Sequence, residues 1–350
     1  MLNFGKNNKI KQFQIYKLDN WFLRGSISDL LDSVLPEISP HLFPDIQNSK
    51  WIHRADYELS QILELEKKKE LATAEFKQKM SKIDKRIQDE RNENSWRHEL
   101  ISETNDVLVK AVQRALRILG FLDIVDMDIE YESKNETRKE DLQIRDGKKV
   151  IVVDIKGISG LPSDEDVMQA QKHAILLNNK NKDTDKETYS LSIVNHQRHL
   201  PPLDRNNKEP FGSKILGFSE DVTGLLTTWE LFNLVRNFEK LEWSKDNITP
   251  LFYKTGRIKL IPCNYYFLGN ISNIWKNNNA FGINMVNEAL SAGDRIAIKT
   301  ISSEVFQEIA VSSIMVNDKN TESVNSGNDV GISCEDISSI KRGMEVFLIK

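Results

Sequence analysis

Hydrophobic positions recur along this chain with a period that changes from region to region. Between residues 55 and 95 Gly and Pro are absent, Glu and Lys dominate, and Phe76, Met80, Ile83 and Ile87 follow one another at alternating spacings of four and three. That pattern predicts a long charged helix, coiled-coil-like, with an apolar seam too narrow to make a core of its own. Its partner is a second copy in a homodimer, another helix or a partner protein; otherwise the helix is a solvated rod held at its ends. Leu108, Val112, Ala115, Leu116 and Leu119 then form a 3.6-period stripe that stops at Gly120, a natural helix end. Residues 150–155 are apolar at both alternating sets of positions except for Asp154, as in a strand covered on both faces. A helix over 164–176, a strand over 190–196 and a strand running into a helix over 225–232 follow. The last hundred residues alternate short apolar runs with Gly-containing turns, at 256–261, 293–298, 309–316, 325–332 and 340–349, which predicts a small all-β barrel. Residues 1–54 carry short apolar clusters broken by Pro36, Pro40 and Pro44, and read as a small helical or docking segment. Four regions result: 1–54, the helix at 55–96, an α/β domain at 97–250 and the barrel at 251–350.

The α/β region holds the chemistry. Asp146-Gly147 is a strong signal for a two-residue hairpin turn of type I′. With Arg145 opposite Lys148, Asp141 falls opposite Val152 and diagonal to Asp154, on the face shared by Val150, Val152, Asp154 and Lys156. A carboxylate in so apolar a strand must be paired, hydrated or metal-bound. Two carboxylates with a nearby ammonium suit Mg²⁺, which keeps waters and takes one or two carboxylates plus phosphate oxygens. Such a site can hydrolyse a phosphodiester.

Asp141, followed thirteen residues later by Asp154-x-Lys156 on a hairpin preceded by a helix, resembles the PD-(D/E)xK nuclease superfamily over about residues 97–240. Glu140 stands where that family usually has Pro. The resemblance implies a restriction-endonuclease-like α/β core, with Asp141, Asp154 and the main-chain oxygen of Ile155 holding Mg²⁺ or Mn²⁺. It also implies that Lys156 positions the attacking water and that Gln169 supports Lys156 or a phosphate. His173 takes the place of a frequent Tyr. Glu103 is the nearest candidate for the acidic residue the family often carries on the preceding helix, although its spacing sets it off the apolar face. The stretch from Gly293-Asp294-Arg295-Ile296 through the closing Lys341-Arg342-Gly343-Met344-Glu345-Val346 is similar to the β-barrel second domain of translation elongation factors, and implies a docking module. No phosphate-binding GxxxxGK[ST] loop accompanies it, so GTP hydrolysis is not implied.

Composition narrows the picture. The 350 residues are 39% hydrophobic and 29% charged, with a net charge of −4. An acidic chain does not coat itself with nucleic acid, but one local basic groove suffices for an enzyme. His196, Arg198, His199, Arg205 and Lys208 are candidates for that groove, or for an ordinary polar loop around Pro201-Pro202. Two distant cysteines exclude a zinc site built on Cys spacing, and no apolar run reaches membrane-spanning length. The expectation is a cytoplasmic, metal-dependent nuclease acting on DNA in preference to RNA, in a bacterial restriction or defence setting. The second reading is a catalytically silent nucleic-acid-binding or scaffolding subunit with the same fold.

Overall fold

The computed structural model describes residues 31, 34–43, 54–135, 139–180, 185–300, 304–317 and 319–350. The helical segment expected over 1–54 lies largely outside them; one helical turn, Leu35–Ile38, is described. The chain divides into two units, 1–89 and 90–350.

The long helix of the first unit, α1 (Ser60–Glu93), is 34 residues long and has no buried residue. Its high content of Glu, Lys, Leu and Ala, without Gly or Pro, favours helix at every position. The seam side chains Phe76, Met80, Ile83 and Ile87 are all exposed.

The second unit is built on two sheets. The first begins with helices α2 (Ser95–Ser102) and α3 (Asn105–Ile118), then β1 (Ile124–Asp126) and α4 (Met127–Ser133). The hairpin strands β2 (Leu142–Asp146) and β3 (Lys149–Gly157) lead through α5 (Asp164–Lys180) to β4 (Glu187–Asn195). Next come α6 (Ser213–Ser219), β5 (Gly224–Thr227), α7 (Thr228–Lys240), α8 (Lys245–Ile248) and β6 (Gly256–Arg257). The sheet order is β1-β2-β3-β4-β5-β6, antiparallel up to β3 and parallel beyond it. The stripe on α3 is buried against it, and the helix ends where Gly120 takes φ +108°. A capping box between Thr227 and Glu230 starts α7 directly from the end of β5.

The second sheet comprises β7 (Tyr265–Trp275), β8 (Ala280–Ile283), β10 (Arg295–Lys299), β11 (Phe306–Ala310), β12 (Ser313–Val316), β13 (Lys319–Thr321), β15 (Val330–Ser333) and β16 (Glu345–Ile349). A separate two-stranded ladder joins β9 (Leu290–Ser291) to β14 (Ser323–Val324). The eight strands run β11-β10-β16-β7-β8-β15-β12-β13, and every pair is antiparallel. Leu268, Phe281, Ile296, Ile314, Ile332 and Val346, from six of these strands, meet in one core, so the sheet wraps around it. The molecule is therefore mixed α/β with an antiparallel, sheet-rich C-terminal region.

Two sequence expectations change here, and one strand is new. The run at 256–261 does not open the second sheet. Its first two residues extend the first sheet as β6, beside Gly224, where an added Cβ would come within 2.9 Å of Ile258 Cδ1. The run at 309–316 is broken after Ala310 into β11 and β12. The longest strand of the region, β7, has no apolar alternation strong enough to mark it, because its outer positions include Asn270, Asn273 and exposed Tyr266.

The two sheets share packing. Trp243 and Tyr265 stand edge-on at 5.7 Å, Trp243 and Phe306 at 5.4 Å, and all three join Phe347 in the same core as the first sheet. Asn237 of α7 donates to Glu304 O at 2.8 Å and accepts from the N–H of Phe306 at 3.2 Å. Trp243→Ala is expected to cost about 3–5 kcal/mol in urea denaturation, whereas Trp243→Phe retains most of that stability.

Candidate functional site

The hairpin fixes the site through its register. Leu142 pairs with Val153 and Asp146 with Lys149, so the turn is Gly147-Lys148 rather than Asp146-Gly147. Gly147 has φ +60°, and neither Asp146 nor Lys148 has positive φ. This is the pattern of a type II′ turn, which needs glycine only at its first central position. The shift moves every facing pair by one step on each strand. One step beyond Leu142 the ladder leaves its register: the N–H of Asp141 donates to Val153 O at 3.2 Å, and the Asp141 carboxylate turns onto β3, close enough for the Asp154 charge to raise it.

Asp141 Oδ2 accepts from the N–H of Ile155 at 2.6 Å. Asp154 is 1% exposed, and Lys156 Nζ lies 3.5 Å from its Oδ2, beyond good hydrogen-bond geometry. Burial and the Asp154 charge push the Asp141 carboxyl up to about 7, against the Ile155 N–H and Lys156. Burial also raises Asp154, to about 6, despite Lys156. Both groups thus carry less negative charge than a solvated pair would, in a setting that favours a cation. Asp154 Oδ2 is buried without a hydrogen-bond partner, and the Lys156 ammonium 3.5 Å away pairs with it by charge. No cluster of three Asp, Glu, His or Cys side chains able to hold a metal is found among the described residues. Two carboxylate donors suit an ion that completes its shell with water and substrate oxygens, as Mg²⁺ and Mn²⁺ do.

Further acidic groups surround the pair, and sequence reading missed their part. Glu140, 2% exposed, accepts from Tyr131 OH at 2.9 Å and from Gln143 Nε2, and its charge raises Asp154. Asp166, in the first turn of α5, also raises Asp154, and Asp128 raises Asp141. The available signal for Glu140 was its adjacency to Asp141. His173 is half-buried, and burial lowers its pKa while Glu140 raises it and Lys156 lowers it. Asp166 and His173 stand two turns apart on α5, so they share one face of that helix, with the Asp166 carboxylate accepting from the Ser163 N–H at 2.8 Å. Gln169 lies between them in sequence but is exposed, and no hydrogen bond links it to Asp154 or Lys156 among the described residues. Glu103 caps α2; its main-chain oxygen accepts from Asn195 Nδ2 at 2.9 Å, while its carboxylate accepts from Ser102 Oγ. Next to it, Thr104 donates to Gly157 O at 3.2 Å, and a Cβ at Gly157 would come within 2.6 Å of Thr104. The α2–α3 junction therefore closes on the end of β3.

The expected basic groove is only partly a surface. His196 is fully buried, and burial with Arg205 and Arg257 lowers its pKa to about 4, so it is neutral. Arg205 is also buried and acts as a staple, donating to Asn195 Oδ1, Leu200 O and Ile101 O. Of the five candidates, His199 and Lys208 are exposed and Arg198 is half-buried.

No family model matches the chain, and no curated protein matches it. Among solved structures it is similar to the C-terminal domain of a putative U32 peptidase from Geobacillus thermoleovorans, at 9% identity and a TM-score of 0.22, over 24% of this chain and 93% of that one. It is also similar to translation elongation factor SelB from Methanococcus maripaludis, at 11% identity and a TM-score of 0.21, over 57% of this chain and 40% of that one. No described helix is long and apolar enough to cross a membrane.

The raised carboxyls fix the sign of a pH effect. An acid whose pKa is higher folded than unfolded binds more protons in the folded state, so its contribution to stability falls as pH rises through the interval between the two values. For Asp154 that interval runs from 3.8 to about 6. Asp154→Asn is expected to be more stable than the wild type at pH 8 without metal, on the order of 2 kcal/mol. The difference should shrink toward pH 4 in thermal melts.

Proposed function

We propose that this chain is a metal-dependent nuclease that hydrolyses phosphodiester bonds in nucleic acid, DNA in preference to RNA. The observation that carries this reading is the convergence of the Asp141 and Asp154 carboxylates at the end of a covered strand, Asp141 on the Ile155 N–H at 2.6 Å and Lys156 Nζ 3.5 Å from Asp154. In this reading the first sheet and its helices are a restriction-endonuclease-like core. Asp141, Asp154 and the main-chain oxygen of Ile155 are the residues that would hold Mg²⁺ or Mn²⁺. When bound, such an ion supplies Lewis acidity toward a phosphoryl oxygen and a water of lowered pKa. Lys156, 3.5 Å from Asp154, would orient an attacking water and offset charge developing on the phosphate. Burial of Asp154 keeps bulk water from competing for its carboxylate. Gln169, exposed on α5, is free to reach a phosphate of a bound strand. The second sheet serves as a translation-factor-like docking barrel, and the whole suits a cytoplasmic restriction or defence enzyme in a bacterium.

Plasmid DNA and RNA incubated with the purified chain and Mg²⁺ or Mn²⁺ test the assignment. Cleavage is expected with metal and absent with EDTA, and Asp154→Ala and Lys156→Ala should each slow it about a hundredfold or more. Undiminished cleavage by both variants removes the site, and metal-independent binding without turnover favours the silent scaffolding subunit.

The exposed seam of α1 supports a second element of this reading, a homodimer in which two copies pair through Phe76, Met80, Ile83 and Ile87 in coiled-coil fashion. Two sites in one particle suit the two strands of a duplex. Sedimentation equilibrium should give a dimer at micromolar concentration, and Met80→Lys with Ile83→Lys a monomer. A monomeric wild type removes this element.

A further inference from the structure

A cleft of about 460 Å³ opens between α7 and strands β7, β10 and β16. That volume lies within the range of ligand sites, roughly 300–1,000 Å³. One wall is five consecutive residues, 257–261. Its strand part ends at Arg257, and the chain turns at 259–261, where the N–H of Ile261 donates to Lys259 O at 3.0 Å. β6 is the last strand of its sheet. The N–H groups of Gly256 and Ile258 turn inward to Thr223 O and Leu225 O, which leaves the N–H and C=O of Arg257 facing the free edge.

Three other features narrow the occupant. Asn233 of α7 lines the cleft and is 1% exposed; its Nδ2 donates to Trp229 O, and its buried Oδ1 has no donor. Such an orphan is costly unless a bound group supplies an N–H. Leu234, Leu260 and Phe347 give an apolar lining, with Phe267 standing 40% exposed beside them. Of the cations, Arg257 pairs with Glu230 at 3.0 Å and Lys299 with Glu304 at 2.5 Å, whereas exposed Lys259 has no carboxylate partner among the described residues. A polyphosphate is disfavoured, because Glu230, Glu304 and Glu345 all line the same space.

We propose that this cleft docks an extended peptide segment of a partner protein. The segment runs along the free edge at Arg257, donates a main-chain N–H to Asn233 Oδ1, lays one large apolar side chain on the Leu234–Phe347 lining and sets a carboxylate against Lys259. This is strand addition to a sheet edge with side-chain pockets for specificity. It uses none of the residues of the hairpin site and stands apart from the nuclease reading.

The test is fluorescence polarisation of the full chain with a library of blocked, labelled hexapeptides. Each carries Leu or Phe followed by Asp, and a matched library carries Lys in place of Asp. The Asp library is expected to contain members that bind saturably in the micromolar range. Lys259→Glu, a surface change, should weaken them about tenfold or more and shift preference to the Lys library. Asn233→Leu should weaken binding while thermal melting shows the chain folded. Absence of saturable binding up to millimolar peptide, or binding unchanged in Lys259→Glu, overturns the proposal. So does saturable binding of ATP that Lys259→Glu abolishes, or self-association lost in that variant, since either gives the cleft to another occupant.

Discussion

The burial of Asp154 is the constraint on which the rest of the first sheet depends. A carboxylate at 1% exposure in a strand whose other inner residues are Val and Ile is stable only if its surroundings compensate it. Lys156 compensates it in part, at 3.5 Å, and the nearby Asp141 adds to the charge rather than relieving it. The surrounding structure holds this unfavourable pair in position. β3 lies third in a six-stranded sheet with neighbours on both sides, a type II′ turn joins it to β2, and Thr104 presses on Gly157 at its end. A fold selected for stability alone would have an apolar residue at position 154. Strained electrostatics of this kind mark functional sites more often than structural ion pairs do.

The same sheet brings three strand ends together beside this pair. Lys156, Val194 and Thr227 are cross-strand neighbours at the C-terminal ends of β3, β4 and β5. Ligands of parallel sheets bind outside these carboxyl ends, where loops diverge. The loop after β4 is held by buried Arg205, so what lies above this edge is a fixed wall with Arg198 and His199 on it rather than a loose basic arm. α7, started by its capping box at Thr227, carries Asn237 to the second sheet, so the two sheets are joined through one helix and the aromatic cluster around Trp243.

Much of this was legible in the sequence. The α3 stripe, the strand at 150–155, the charged helix and the Gly-punctuated C-terminal strands all follow from local periodicity, which is strong where one face is uniformly apolar. The meeting of Asp141, Asp154 and Lys156 was legible because a hairpin links them locally. Its register was not, since Asp-Gly and Gly-Lys both make acceptable two-residue turns and the choice between II′ and I′ is settled by packing of the whole strand. Glu140, Asp128 and Asp166 reach the site from three different elements, and no spacing rule connects them. Nor does residue type reveal that Arg205 is a staple: a buried guanidinium is identified only by the carbonyls it satisfies. The place of Gly256 and Arg257 in the first sheet goes with a close approach at Gly224, a tertiary fit that local pattern does not encode.

Whether the buried pair holds a divalent cation is decided most directly by calorimetric titration of Mn²⁺ into the chain at pH 7.5. The account calls for saturable binding with proton release, since both carboxyls are raised toward that pH, and for its loss in Asp141→Asn and Asp154→Asn. Heat no greater than dilution in the wild type, or an isotherm that survives both substitutions, would contradict it.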